Sequence, residues 1–186
     1  MILLSIDQAV AALKQGDLIA YPTEGVMGLG CDPFNENAVM QLLALKQRPL
    51  EKGLILVGAD LAQLMPLMDS DRLQPEQWTR LQESWPGPLT WVVPARSNVP
   101  VWLRGRFDTL ALRASAHPVV QQLCRAFGGP IVSTSANLSG QPPARACQAL
   151  SPAIASDIAG CVVGEVGDLA GPTPIFDVLT GQPLRK

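Results

Sequence analysis

Apolar and polar positions alternate along this chain with two periods. Ser5-Ile6-Asp7-Gln8 has the spacing of a capping box, and Ile6, Val10 and Leu13 recur on one face before Gly16, which predicts a helix that stops there. DLIAYPT, Asp17 to Thr23, reads as a buried strand ending at Pro22. Asn35 is placed to cap a second helix through VMQLLALK, which must end by Arg48 because the residue before Pro49 is pushed out of the helical region. Further on, the pattern predicts strands at Gly53–Val57, Leu89–Ala95, Thr109–Arg113 and in PIVSTSAN. Helices are predicted at Pro75–Trp85 and in HPVVQQLCRAF, the latter closed by Gly128-Gly129. From Leu138 to Gly171 the Pro, Gly, Ala and Ser content rises and boundaries weaken, with CVV and PIFDV as two more short strands. Helix and strand alternate throughout, the mark of an α/β fold.

Composition bounds what such a fold can do. The chain has 186 residues, 47% hydrophobic and 16% charged, against about 25% charged in an average domain. One globular domain over residues 1–186 is expected, with a single sizeable core. A net charge of -2 supplies no general basic field, so any basic site must be local. Cys31, Cys124, Cys147 and Cys161 are far apart, with no CxxC pair and one histidine, His117; they read as structural thiols in a reducing compartment, with no metal site. The N-terminus lacks a signal-peptide pattern and no segment offers about 18 uninterrupted apolar residues, so a soluble, cytoplasmic protein is expected.

Three stretches carry candidate chemistry. In LALKQRPLEKGLILV, Lys46, Arg48 and Lys52 surround Pro49 at a helix end and abut a core-bound strand. Cations suit a helix C-terminus anyway, but cations stiffened in advance at a strand edge also suit a polyanion. STSANLSG, Ser133 to Gly140, places hydroxyls and an amide where a buried strand becomes a turn, a set able to hold phosphate or carboxylate oxygens. In YPTEGVMGLGCDP the spacing of Gly25, Gly28 and Gly30 is not the dinucleotide fingerprint, though the small residues allow close backbone approach to a ligand.

YPTEGVMGLG, the Lys46-Gln47-Arg48-Pro49 run with Lys52, WPGPLT, LALRASAHP and STSANLSG, in this order, resemble the YrdC/TsaC family of threonylcarbamoyl-AMP synthases. The resemblance implies a single α/β domain, with a twisted mixed sheet, flanking helices and a concave basic cavity. It implies an enzyme joining L-threonine, bicarbonate and ATP, with Mg2+ carried on the nucleotide. The product, threonylcarbamoyladenylate, would go to a downstream transferase complex that makes N6-threonylcarbamoyladenosine in tRNA. On the matching positions, Lys46, Arg48 and Lys52 would bind the phosphates, Ser133, Ser135 and Asn137 the nucleotide side, and Thr23 and Arg113 the threonine end. Thr90 would line the cavity.

Three positions depart from the family pattern. Gly25 stands where threonine is usual, Met27 where an aromatic is usual and Gly53 where proline commonly follows the lysine. The first two are expected to leave room beside the substrate, so that Gly25→Thr should keep or sharpen a preference for threonine over serine. A binding module is the competing class: Lys46, Arg48, Arg104, Arg106 and Arg113 could line a groove for tRNA or double-stranded RNA.

Overall fold

The computed structural model describes residues 1–185. Along the chain run β1 (Leu3–Leu4), α1 (Ile6–Gln15), β2 (Ile19–Pro22), β3 (Met27–Gly30), α2 (Glu36–Leu45), β4 (Ile55–Gly58), α3 (Leu61–Leu64) and α4 (Pro75–Ser84). These are followed by β5 (Thr90–Pro94), α5 (Val101–Arg104), β6 (Thr109–Ala114), α6 (Pro118–Phe127), β7 (Ile131–Ser135), α7 (Pro152–Ser156), β8 (Gly160–Val162), β9 (Ile175–Asp177) and β10 (Pro183–Arg185). The cap signals act as expected. Ser5 and Gln8 form the capping box of α1, Gly16 closes it in the left-handed conformation, and Asn35 caps α2.

Ten strands form one mixed sheet in the order β1-β8-β2-β3-β7-β4-β6-β5-β9-β10. Its inner strands are apolar on both faces because each face has its own core. Ile19 and Tyr21 of β2, Val57 of β4 and Ile131 of β7 pack with Val10 and Leu13 of α1 and Val120 and Leu123 of α6. The alternate residues Leu18, Ala20, Leu56 and Val132 face the opposite way, toward Val39 and Leu42 of α2. A period of two in side-chain direction thus turns one apolar run into two packed layers.

The glycine-rich stretch forms a strand, and its Gly28 lines a cleft. β3 pairs antiparallel with β2, setting Gly28 against Tyr21 and Gly30 against Ile19. A Cβ at Gly30 would come within 2.2 Å of the Val132 carbonyl oxygen and 2.9 Å of the Tyr21 ring. That glycine makes room for a fully buried tyrosine, whose hydroxyl donates to the Val132 carbonyl at 3.1 Å.

One expectation is overturned. Cys147 and Cys161 are not separate thiols but a disulfide, with Cα atoms 6.0 Å apart, while Cys31 and Cys124 are free and buried. Spacing rules detect local pairs; here a turn at Cys147–Ala149 is carried onto β8 by the fold. Among the described residues no helix is long and apolar enough to cross a membrane.

Closing a loop of this length is worth about 3 kcal/mol, so a thiol reductant should lower Tm by roughly 6 to 12 °C. The Cys147→Ala/Cys161→Ala double variant should no longer respond. An unchanged Tm in the reduced parent would show that the cross-link adds no stability.

Candidate active site

A cleft of about 610 Å³ opens among the end of α2, the turn after it, β6, β7 and its following turn, and the C-terminal strands β9 and β10. That volume lies within the range of small-molecule sites. Its wall carries Lys46, Arg48, Lys52, Arg104, Arg113 and Arg185, with Asp177 as its carboxylate.

The backbone at the end of α2 presents the first two of these cations. The Gln47 amide donates to Ala44 and the Arg48 amide to Leu43, the paired bonds of a Schellman motif. Gln47 adopts φ 50° to make that turn, a conformation that glycine usually takes and that costs other residues about 1 to 2 kcal/mol. In exchange, Lys46 and Arg48 are separated by one sharply turned residue.

Lys46 is buried, and its Nζ donates to the Ser135 carbonyl at 2.5 Å and to the Asn137 carbonyl at 2.7 Å. Asn137 in turn accepts from the Ser135 hydroxyl at 2.5 Å and donates to Leu138 and Gln141. The lysine and the hydroxyl-rich turn are therefore one structure. Burial, with the neighbouring Arg48 charge second, pushes the Lys46 amine down to about 8.

Arg48 is half-buried and directs Nε and one terminal nitrogen to the Gly53 carbonyl at 3.2 and 2.8 Å. Burial holds its guanidinium below the usual arginine range. Gly53 has φ 63°, a value closed to proline. Lys52 is exposed on the wall, and Arg104 donates to the Val99 and Phe107 carbonyls. Arg106 is not in the wall; it stacks on Phe107.

Arg113, also in the cleft wall, is 4% exposed. It donates to Thr173 Oγ1 at 2.8 Å and Thr90 Oγ1 at 3.3 Å, and pairs with Glu24 at 3.4 Å. Thr90, expected in the wall, is instead fully buried behind it, where it supports Arg113. Thr23 and Ser133 are buried and line the cleft, and Thr23 donates to the Val26 carbonyl at 2.8 Å.

Sequence reasoning missed Thr173, Glu24 and Arg185, which reach the site only through long-range pairing. Arg185 donates to the Thr173 carbonyl at 2.7 Å and is held below the usual arginine range by burial, then by Arg113 and Arg48. The TPIF and PLRK runs gave no local signal of this.

The segment from Glu165 to Thr173 forms a strap over the Thr23–Val26 turn. Gly167 and Leu169 donate amides to the Thr23 and Glu24 carbonyls, and Arg145 bridges the Gly25, Gly167 and Leu169 carbonyls. His117 Nε2 meets the Glu165 carbonyl at 3.0 Å.

This strap overturns the expected spare room at Gly25: an added Cβ would lie 2.1 Å from the Gly171 carbonyl oxygen. Met27 is buried in the core and does not line the cleft.

Fold and wall together define an α/β protein with a cleft of mixed polar and apolar lining along β6, β7 and β9. The Sua5/YciO/YrdC family model, described as telomere recombination, matches residues 11–186. A threonylcarbamoyl-AMP synthase of Vibrio cholerae serotype O1 is 53% identical over 182 residues, spanning 98% of this chain and 97% of the relative. Another, from Xanthomonas campestris pv. campestris, is 54% identical over 180 residues, spanning 97% and 96%. Among solved structures, P. abyssi Sua5 complexed with L-threonine matches with a TM-score of 0.85 at 31% identity, over 98% of this chain and 56% of that longer one. The chain belongs to the Sua5/YciO/YrdC family.

Two expectations follow from the geometry. Because the Lys46 pKa lies near 8, the free protein loses this charge as pH rises through that value. The kcat/KM for ATP should fall above it, whereas the corresponding limb in kcat should sit at higher pH, since a bound polyanion favours the ammonium. Coincident limbs in a pH series would separate Lys46 from nucleotide binding. Gly25→Thr should displace the strap, lowering Tm and weakening threonine use; unchanged values in thermal melts and steady-state assays would show that the strap yields freely.

Proposed function

We propose that this chain makes L-threonylcarbamoyladenylate from L-threonine, bicarbonate and ATP. The amine of threonine adds to bicarbonate-derived carbon with loss of water, giving an N-carboxylate. A carboxylate oxygen then attacks the α-phosphorus of ATP, and pyrophosphate leaves. The observation that supports this reading best is a single cleft lined by Lys46, Arg48, Lys52 and Arg113, in a chain more than half identical to threonylcarbamoyl-AMP synthases.

The reaction concentrates negative charge on phosphoryl oxygens and needs alignment more than a strong base. Lys46, Arg48 and Lys52 bind the triphosphate and the leaving pyrophosphate. Ser133, Ser135 and Asn137 hold the nucleotide side. Thr23 and Arg113 take the threonine end, with Thr90 acting through Arg113. Mg2+ arrives on the phosphates, which suits a wall with one carboxylate, Asp177, whose Oδ1 already accepts from the Leu179 and Thr180 amides. The product is a reactive mixed anhydride, consumed by a transferase that modifies adenosine in tRNA.

The direct test is formation of the adenylate from ATP, dependent on threonine and bicarbonate, with no nucleic acid present. Arg48→Lys should cost about 1.5 to 3 kcal/mol, roughly ten- to hundredfold in kcat/KM, because an ammonium cannot fork two oxygens. Parent-level turnover in both Arg48→Lys and Lys52→Ala would leave the phosphate assignment unsupported. In competition, threonine should be preferred over serine by about 10- to 200-fold, the range one methyl group allows. Mass spectrometry of the adenylates reads the ratio, and equal use of both amino acids would contradict the threonine assignment.

A further inference from the structure

We infer that Glu24 is a positioning residue for the threonine end of the reaction, setting the orientation and effective charge of Arg113. The inference rests on the proposed function, which puts Arg113 against the amino acid. Glu24 is 9% exposed and does not line the cleft, so its carboxylate reaches bound substrate through Arg113.

Several contacts fix the carboxylate. Ser115 donates its hydroxyl to Glu24 Oε1 at 2.6 Å, and the His117 amide donates to the Ser115 hydroxyl at 3.1 Å. The Glu24 carbonyl accepts from Leu169, which ties the same residue to the strap. Glu24 Oε2 then stands 3.4 Å from an Arg113 terminal nitrogen, close enough for charge attraction but without a hydrogen bond.

That spacing has a physical consequence. A buried guanidinium with no counter-charge is strongly unfavourable. A counter-ion bonded to it bidentately would instead consume the donors that a substrate needs. Glu24 stands between these limits. It compensates the charge, while Thr90 and Thr173 fix one terminal nitrogen and the other, which faces Glu24, makes no hydrogen bond among the described residues. Arg113 is thereby charged, oriented and still able to donate.

The test compares Glu24→Gln, which keeps the shape and the acceptor for Ser115, with Ser115→Ala, which keeps the charge. Both are made alone and in an Arg113→Lys background. Glu24→Gln should lower kcat/KM for threonine about tenfold or more, with KM for ATP changed less than about twofold. Ser115→Ala should act in the same direction and more weakly. In the Arg113→Lys background each effect should shrink to within about twofold, because residues acting through one partner are not additive.

Additive losses would overturn the inference, as would threonine and ATP parameters falling together with Tm. Should Glu24→Gln fail to fold, the Ser115→Ala cycle carries the same decision. A parent without threonine-dependent adenylate formation sinks the proposed function and this inference with it; a normal parent with an additive cycle sinks this inference alone.

Discussion

The ammonium of Lys46 joins parts of the chain 89 residues apart. Withdrawing such a group from water is unfavourable unless oxygens replace the lost hydration, and the carbonyls of Ser135 and Asn137 do so. The end of α2 and the turn after β7 are thereby drawn to one place, and the cleft acquires its two sides. Compensation by neutral dipoles is incomplete, because Arg48 is close enough to depress the Lys46 pKa further. An anion entering the cleft would relieve that repulsion, so the cost of holding two cations together is recovered on binding.

Much of the fold was legible because its signals are local. Ser5 with Gln8, Asn35, Gly16 and Pro49 act on neighbouring backbone and mark helix ends wherever they occur. β3 was hidden because MGLG lacks the branched side chains that announce a strand; its glycines answer to the Tyr21 ring, which only the pairing with β2 brings near. Lys46, Arg48, Arg113 and Ser133 come to one cleft from motifs the sequence displays. Thr173 and Arg185 join them through sheet order, Glu24 stands behind the wall against Arg113, and the Cys147–Cys161 bond is likewise a product of the fold. Backbone conformation was equally invisible: no spacing rule would reveal φ 63° at Gly53 or φ 50° at Gln47.

The strap follows a different rule. Its amides and carbonyls, rather than its side chains, meet Thr23, Glu24, Arg145 and His117. Its location is therefore largely independent of which residues compose it, provided that Gly25 and Gly167 leave space: a Cβ at Gly167 would lie 2.6 Å from the Glu24 carbonyl oxygen. The side chain that matters is at its end, where Thr173 holds Arg113.

The sheet order also governs how the molecule assembles in time. β2 and β1 both depend on β8, through the parallel pairs Ile19 with Gly160 and Leu3 with Cys161. Contacts between such distant segments form late, after the entropy of closing long loops has been overcome. A nascent chain emerging from the ribosome can assemble the hairpin of β2 and β3 early, but its flank stays open until Gly160–Val162 has been translated. During that interval an apolar strand with unpaired amides is exposed, the condition under which growing chains recruit chaperones or associate with one another.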